Sequence, residues 1–144
     1  MKTPVLILVI ALFVFSIAVA VIYFATDNDS SGGPSPSKVL HLAPSEFESK
    51  VLAAEGVVLV DFYADWCKPC EMLAPTITEL QKMYSSSPDV AIYKLDTDKA
   101  RSIAMEYGIR NIPCVIVFKN GSETERLVGV RPEQDYRQAI ENAR

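Results

Sequence analysis

The cysteines of Trp66-Cys67-Lys68-Pro69-Cys70 carry the clearest chemistry in this chain. They fall where an apolar run (57–63) gives way to a helical pattern (67–84). Two thiols at this spacing on a helix's first turn close into a disulfide with little rearrangement, and their position makes them unequal. Cys67 is expected at the helix N-terminus, where unpaired backbone N–H groups and the positive dipole end favour a thiolate. Lys68 adds positive charge beside it. Cys70, one turn further in, is more shielded and suits the resolving role. An exposed thiolate of low pKa with a buried partner serves thiol–disulfide exchange: attack, mixed disulfide, release.

Other chemistries of Cys-x-x-Cys stay in view. The motif is half of a zinc site, but no second pair and no paired histidines follow, so Cys114 and His41 would have to complete it. Haem attachment needs a histidine after the second cysteine, where Glu71 stands. A purely structural disulfide is the third alternative. His41 reads as a surface residue of an edge strand. Cys114 reads as a small buried thiol in a strand, with a third redox-active sulfur as the sharper alternative.

The elements that must position this pair alternate between strands and helices. Residues 39–42 are a short strand candidate. Ser45 followed by Glu48 is a capping-box signature for a helix ending near Gly56. Residues 57–63 read as a strand buried on both faces. The helical pattern 67–84 contains Pro75, an expected kink, and residues 90–95 read as the next strand. Asp98 is placed as the cap of a helix that Gly108 ends. Residues 114–119 and 123–130 flank Asn120-Gly121, a strong hairpin signal, and Pro132 opens the last helix. The order βαβαβαββα predicts an α/β fold with a central mixed sheet and helices on both faces.

Composition frames these elements. The chain has 144 residues, 49% of them hydrophobic, and a net charge of −4. Without a basic cluster it is not expected to bind nucleic acid. Three cysteines are too few for a disulfide scaffold. Hydrophobicity is uneven, for 21 of the first 25 residues are apolar. Residues 5–25 carry no charge and would form a helix roughly 31 Å long, enough to cross a bilayer. Residues 1–25 are therefore expected to be a transmembrane anchor. The competing reading is a signal peptide cut after Ala18-Val19-Ala20. Lys2 before the run and Asp27 and Asp29 after it put the main domain outside the cytoplasm. Residues 26–37, rich in Ser, Gly and Pro, read as a flexible tether with a root-mean-square span of roughly 17–21 Å. Residues 38–144 form the one remaining domain.

Residues 61–70 (DFYADWCKPC) resemble the active-site segment of the thioredoxin family. The similarity continues through Ala74-Pro75, Lys94-Leu95-Asp96, residues 107–113 (YGIRNIP) and residues 118–121 (FKNG). It covers essentially all of 38–144 and none of the first 37 residues. The resemblance implies a thioredoxin-like fold, here preceded by a single N-terminal transmembrane helix, and it implies protein disulfide reduction. It makes Asp61 the buried carboxylate that helps take the proton from Cys70, and Lys94 the partner of that carboxylate. It makes Pro113 a cis-proline facing the disulfide and has Ile112 offer backbone groups to an extended substrate strand. Trp66 would cover the cysteines and form part of the contact surface, and Gly129 would line the same groove or serve as a simple bend. The chain departs from the family in its Lys-Pro spacer, where Gly-Pro is commonest. It departs again at Glu71, where many relatives carry lysine, and at Cys114, where threonine is usual.

The expectation is thus a single-pass protein of the cytoplasmic (inner) membrane with its redox domain on the extracytoplasmic, periplasmic side. Cys67 acts as nucleophile and Cys70 resolves. Its partners are disulfide-containing proteins and a membrane-embedded electron donor, and it works as a monomer. No cofactor or metal is expected. An oxidase or isomerase, and a tethered non-catalytic binding module, are the alternatives.

Overall fold

All seven residues of Val57–Tyr63 (β1) are buried, and this strand is the centre of a computed structural model that describes residues 40–144. The expected anchor (1–25) and tether (26–37) lie outside the described residues. Among the described residues, no helix is long and apolar enough to cross a membrane.

An apolar strand with no polar face must be covered on both sides. β1 runs parallel to Val90–Asp96 (β2) and antiparallel to Cys114–Lys119 (β3), which pairs antiparallel with Ser122–Val128 (β4), giving the order β2-β1-β3-β4. The parallel β1–β2 pair requires a crossover, supplied by Lys68–Met83 (α1). On one face, Val57 and Leu59 pack with Leu73, Ile77 and Leu80 of α1 and with Tyr136 and Ile140 of Glu133–Ala143 (α3). On the other, Val58, Val60 and Phe62 meet Phe47 and Val51, with Tyr107 following Arg101–Glu106 (α2). The side-chain period of two thus divides β1 between two cores. Asp61 shares the parity of Leu59 and so points to the α1 side.

Several expected elements change. In place of a strand at 39–42, His41 makes an isolated parallel bridge to Lys94. The helix expected from Ser45 is a 3-10 turn, Pro44–Glu46, followed by a π-helical stretch, Glu48–Leu52. Its start lies two residues earlier than the Ser45/Glu48 signature implies, because Glu46 reaches back to accept from the Ala43 N–H at 3.0 Å. β4 ends at Val128 rather than 130, because Gly129 turns the chain with φ 80°. Its register skips Thr124, whose hydroxyl donates to the Val117 carbonyl at 3.1 Å.

The Asn120-Gly121 hairpin forms as expected. Lys119 pairs with Ser122 across two residues of positive φ, 48° and 79°, as a type I′ turn requires. Asn120 also ties the turn to the start of β1: its side-chain oxygen accepts from Gly56 N at 2.9 Å, and its N–H donates to Gly56 O at 2.9 Å. The turn needs glycine for a second reason, since a Cβ at position 121 would collide with the Leu52 carbonyl. At Gly108, also left-handed with φ 60°, a Cβ meets nothing within 4 Å. Gly108→Ala is therefore expected to cost about 1 kcal/mol of backbone strain. Gly121→Ala should cost roughly 1–3 kcal/mol more from overpacking, read as a lower denaturation midpoint in urea.

Candidate active site

The site lies where β1 ends and α1 begins. Cys67 is the N-cap of α1, with extended backbone, and its Sγ accepts from the Cys70 N–H at 3.2 Å. The two cysteines are joined as a disulfide with Cα atoms 5.2 Å apart. Lys68 and Pro69 occupy the first helical positions, where a missing N–H costs nothing. One sequence expectation changes here. Cys67 is as buried as Cys70, at 4% against 2% exposure, because Tyr63, Ala64 and Ile112 close around the sulfurs. The Lys68 charge is not left to Cys67 alone, since Glu71 pairs with it at 3.0 Å.

Ile112 meets the disulfide from just before β3, and Pro113 follows it in the chain. The Ile112–Pro113 bond is cis, and Ile112 packs against Tyr63, Ala64, Cys67 and Cys70. Gly129 is bound to this segment, its N–H donating to the Pro113 carbonyl at 2.9 Å. Trp66 is 69% exposed beside Cys67, its indole N–H donating to Asp98 Oδ2 at 2.8 Å. Asp98 therefore does not cap a helix. α2 starts at Arg101 after Ala100, and the Asp98 carboxylate is spent on Trp66.

Asp61 is fully buried, and neither carboxyl oxygen has a hydrogen-bond partner among the described residues. Lys94, its register partner on β2, brings Nζ to 3.9 Å from Oδ2, the outer edge of an ion pair. The same Nζ lies 4.2 Å from the centre of the Tyr63 ring, and the Tyr63 hydroxyl is hydrogen-bonded to His41 Nδ1 at 3.0 Å. Loss of water outweighs the pull of Lys94 and pushes the Asp61 carboxyl up to about 7. A group of that pKa takes up and releases a proton near neutrality.

The structure thus brings Asp61 and Lys94 together, joins Cys67 to Cys70, sets Ile112 against the pair, and links Pro113 to Gly129. Trp66 stands outward beside them. Cys114 is buried in the other core with Phe62, Ile116 and Phe118, and burial pushes its thiol up. Among the described residues, no three His, Cys, Asp or Glu side chains gather to hold a metal ion. Sequence reading missed Tyr63 as the platform under Lys94, although its parity with Asp61 was there to be used.

A mixed sheet whose central strand delivers Cys-x-x-Cys to a helix N-terminus, with a cis-proline leading into the neighbouring strand, defines the thioredoxin class of architecture. The Thioredoxin family profile matches residues 38–142, and the chain belongs to that family. It is 46% identical over 97 residues to a chloroplastic M-type thioredoxin of Spinacia oleracea, covering 67% of this chain and 52% of the relative. It is 36% identical over 105 residues to thioredoxin 1 of Nostoc sp., covering 73% of this chain and 96% of the relative. It is 39% identical over 103 residues to a thioredoxin of Staphylococcus epidermidis, covering 72% and 95%. The chain spans about half the length of the chloroplastic relatives it matches.

Two outcomes are expected. Between pH 4 and 7 the unfolded chain releases the Asp61 proton while the folded chain keeps it, so stability falls across that window and levels off above it. Asp61→Asn removes this slope. It should stabilise the protein by on the order of a few kcal/mol at pH 8, with the gain fading towards pH 4 in denaturant titrations. Cys114→Ser should leave the Cys67/Cys70 reduction potential and turnover unchanged; a shift in either would mark Cys114 as a third redox sulfur.

Proposed function

We propose that this chain is a membrane-tethered thiol–disulfide oxidoreductase that reduces protein disulfides outside the cytoplasm. One observation carries the chemistry: a Cys67–Cys70 disulfide at the cap of α1, beyond the end of a strand that buries a carboxyl group with no hydrogen bond among the described residues. In the reduced protein, the Cys67 thiolate attacks one sulfur of the substrate disulfide, and the other substrate sulfur leaves as a thiolate and is protonated. The ionised Asp61 carboxylate, its charge faced by Lys94, takes the proton of Cys70 and becomes neutral, leaving Cys70 as the thiolate. The Cys70 thiolate then attacks Cys67 in the mixed disulfide. That step forms the Cys67–Cys70 bond and releases the second substrate thiolate. Two electrons pass to the substrate. Ile112, Pro113 and Gly129 offer backbone to an extended substrate segment by strand addition, and Trp66 adds apolar contact beside Cys67.

The tether rests on the uncharged run 5–25 and the polar segment 26–37. Electrons for the next cycle then come from a membrane-embedded dithiol carrier, which the tether keeps at high local concentration. The Lys-Pro spacer and the Lys68–Glu71 pair bear on the redox poise.

Cys70→Ala is expected to accumulate mixed disulfides through Cys67, visible as thiol-sensitive adducts on non-reducing gels and absent from the double cysteine variant. Partners retained by the double variant would instead favour a binding module. A Cys67/Cys70 potential near −270 mV supports reduction, whereas one near −120 mV makes the protein an oxidase. Fractionation should find the full chain in membranes, with the redox domain open to protease from the extracytoplasmic side only.

A further inference from the structure

Among the described residues Tyr136 is the largest fully buried side chain, and its ring packs in the core between α3, α1 and the sheet. Packing needs only the ring, so the hydroxyl calls for its own account. It is bonded on both sides to a single turn. It accepts from the Arg131 N–H at 3.0 Å and donates to the Gly129 carbonyl at 3.2 Å. Gly129 in turn donates its N–H to the Pro113 carbonyl at 2.9 Å. The turn is not wedged in place, for a Cβ at Gly129 would meet nothing within 4 Å, and Val128 and Val130 on either side are 42% and 43% exposed. Its left-handed backbone, φ 80° at Gly129, is held by hydrogen bonds.

We infer that Tyr136 is a positioning residue for substrate: from inside the core, its hydroxyl holds the Gly129 turn against the cis-Pro113 segment, so that the groove beside the cysteines is preformed for an extended stretch of a protein. The inference rests on the oxidoreductase reading above. Without the hydroxyl, the Arg131 N–H and the Gly129 carbonyl lose their partner, and the turn must be ordered anew each time a protein substrate binds. A small disulfide that reaches Cys67 without lying along the groove does not draw on the turn. Burial pushes the Tyr136 hydroxyl up from its usual value, so it stays protonated through neutral pH and the clamp does not vary there.

The test uses the full chain in detergent micelles, pre-reduced and mixed with excess substrate. Oxidation of the cysteine pair is followed by the fluorescence of Trp66, the single tryptophan. The substrates are insulin and 5,5′-dithiobis(2-nitrobenzoate). Tyr136→Phe, which keeps the ring, is expected to raise the half-saturating insulin concentration about fivefold, the worth of one ordinary hydrogen bond. The limiting rate and the rate with the small disulfide should stay unchanged, and the insulin effect should be equal at pH 6.5 and 8. Amide hydrogen exchange in the unmodified, substrate-free chain decides the matter if Tyr136→Phe fails to fold: slow exchange of the Arg131 N–H that donates to the Tyr136 hydroxyl supports a preformed turn, and exchange at the rate of an unprotected amide overturns it. Equal slowing on both substrates, or no change on either, overturns the positioning role. Failure of the unmodified chain on both substrates overturns the oxidoreductase reading, and the clamp with it.

Discussion

The structure is organised around a carboxyl group held out of water in the middle of its central strand. Asp61 follows four buried apolar residues of β1 and points into the face covered by α1 and α3. No donor reaches it among the described residues, and the one nearby cation stops at 3.9 Å. Removing a carboxylate from water without hydrogen bonds is expensive, and the protein meets that expense by keeping the proton until about pH 7. Where Lys94 stands, which helix covers the face, and where the cysteine pair sits at the end of the same strand all bear on that proton.

The side chains around the pair come from every strand end at one edge of the sheet. Parallel pairing of β1 with β2 puts Lys94 beside Asp61 and leaves Tyr63 as a platform under the ammonium. Antiparallel pairing with β3 returns the chain so that Cys114 lies opposite Phe62, with the cis-Pro113 bond just before it. β4 ends at the Gly129 turn, which bonds back to Pro113. The sheet topology therefore gathers residues scattered over some seventy positions of chain into one small area. Helices contribute through their ends and their buried faces: the N-cap of α1 holds Cys67, and the core side of α3 supplies Tyr136.

Polar contacts around the pair divide by exposure. Lys68–Glu71 is a solvated surface pair whose free energy is small, and it serves to temper a charge beside Cys67. The Trp66–Asp98 bond is exposed as well, but it orients the indole that stands outward beside Cys67. Buried contacts are fewer and more consequential. Lys94 and Asp61 share a low-dielectric setting, and the Tyr136 hydroxyl joins two backbone groups, the Arg131 N–H and the Gly129 carbonyl.

Much of this was legible in the residues alone, because the signals are local. An unbroken apolar run marks a strand covered on both faces. Asn-Gly marks a two-residue turn because few other pairs accept positive φ at both positions. Cys-x-x-Cys after a strand marks a helix-capping dithiol. Local signals also misled where a distant group competed for the same atom. Glu46 took the cap expected of Ser45 and Glu48, and Trp66, 32 residues away, took the Asp98 carboxylate expected to start a helix. The burial of Cys67, the approach of Lys94 to both Asp61 and Tyr63, and the bonding of the Tyr136 hydroxyl were decided by tertiary structure alone. Each depends on how far apart two side chains come to rest once strands pair and helices dock. Periodicity records which face a residue takes, whereas only the folded chain sets what stands opposite it.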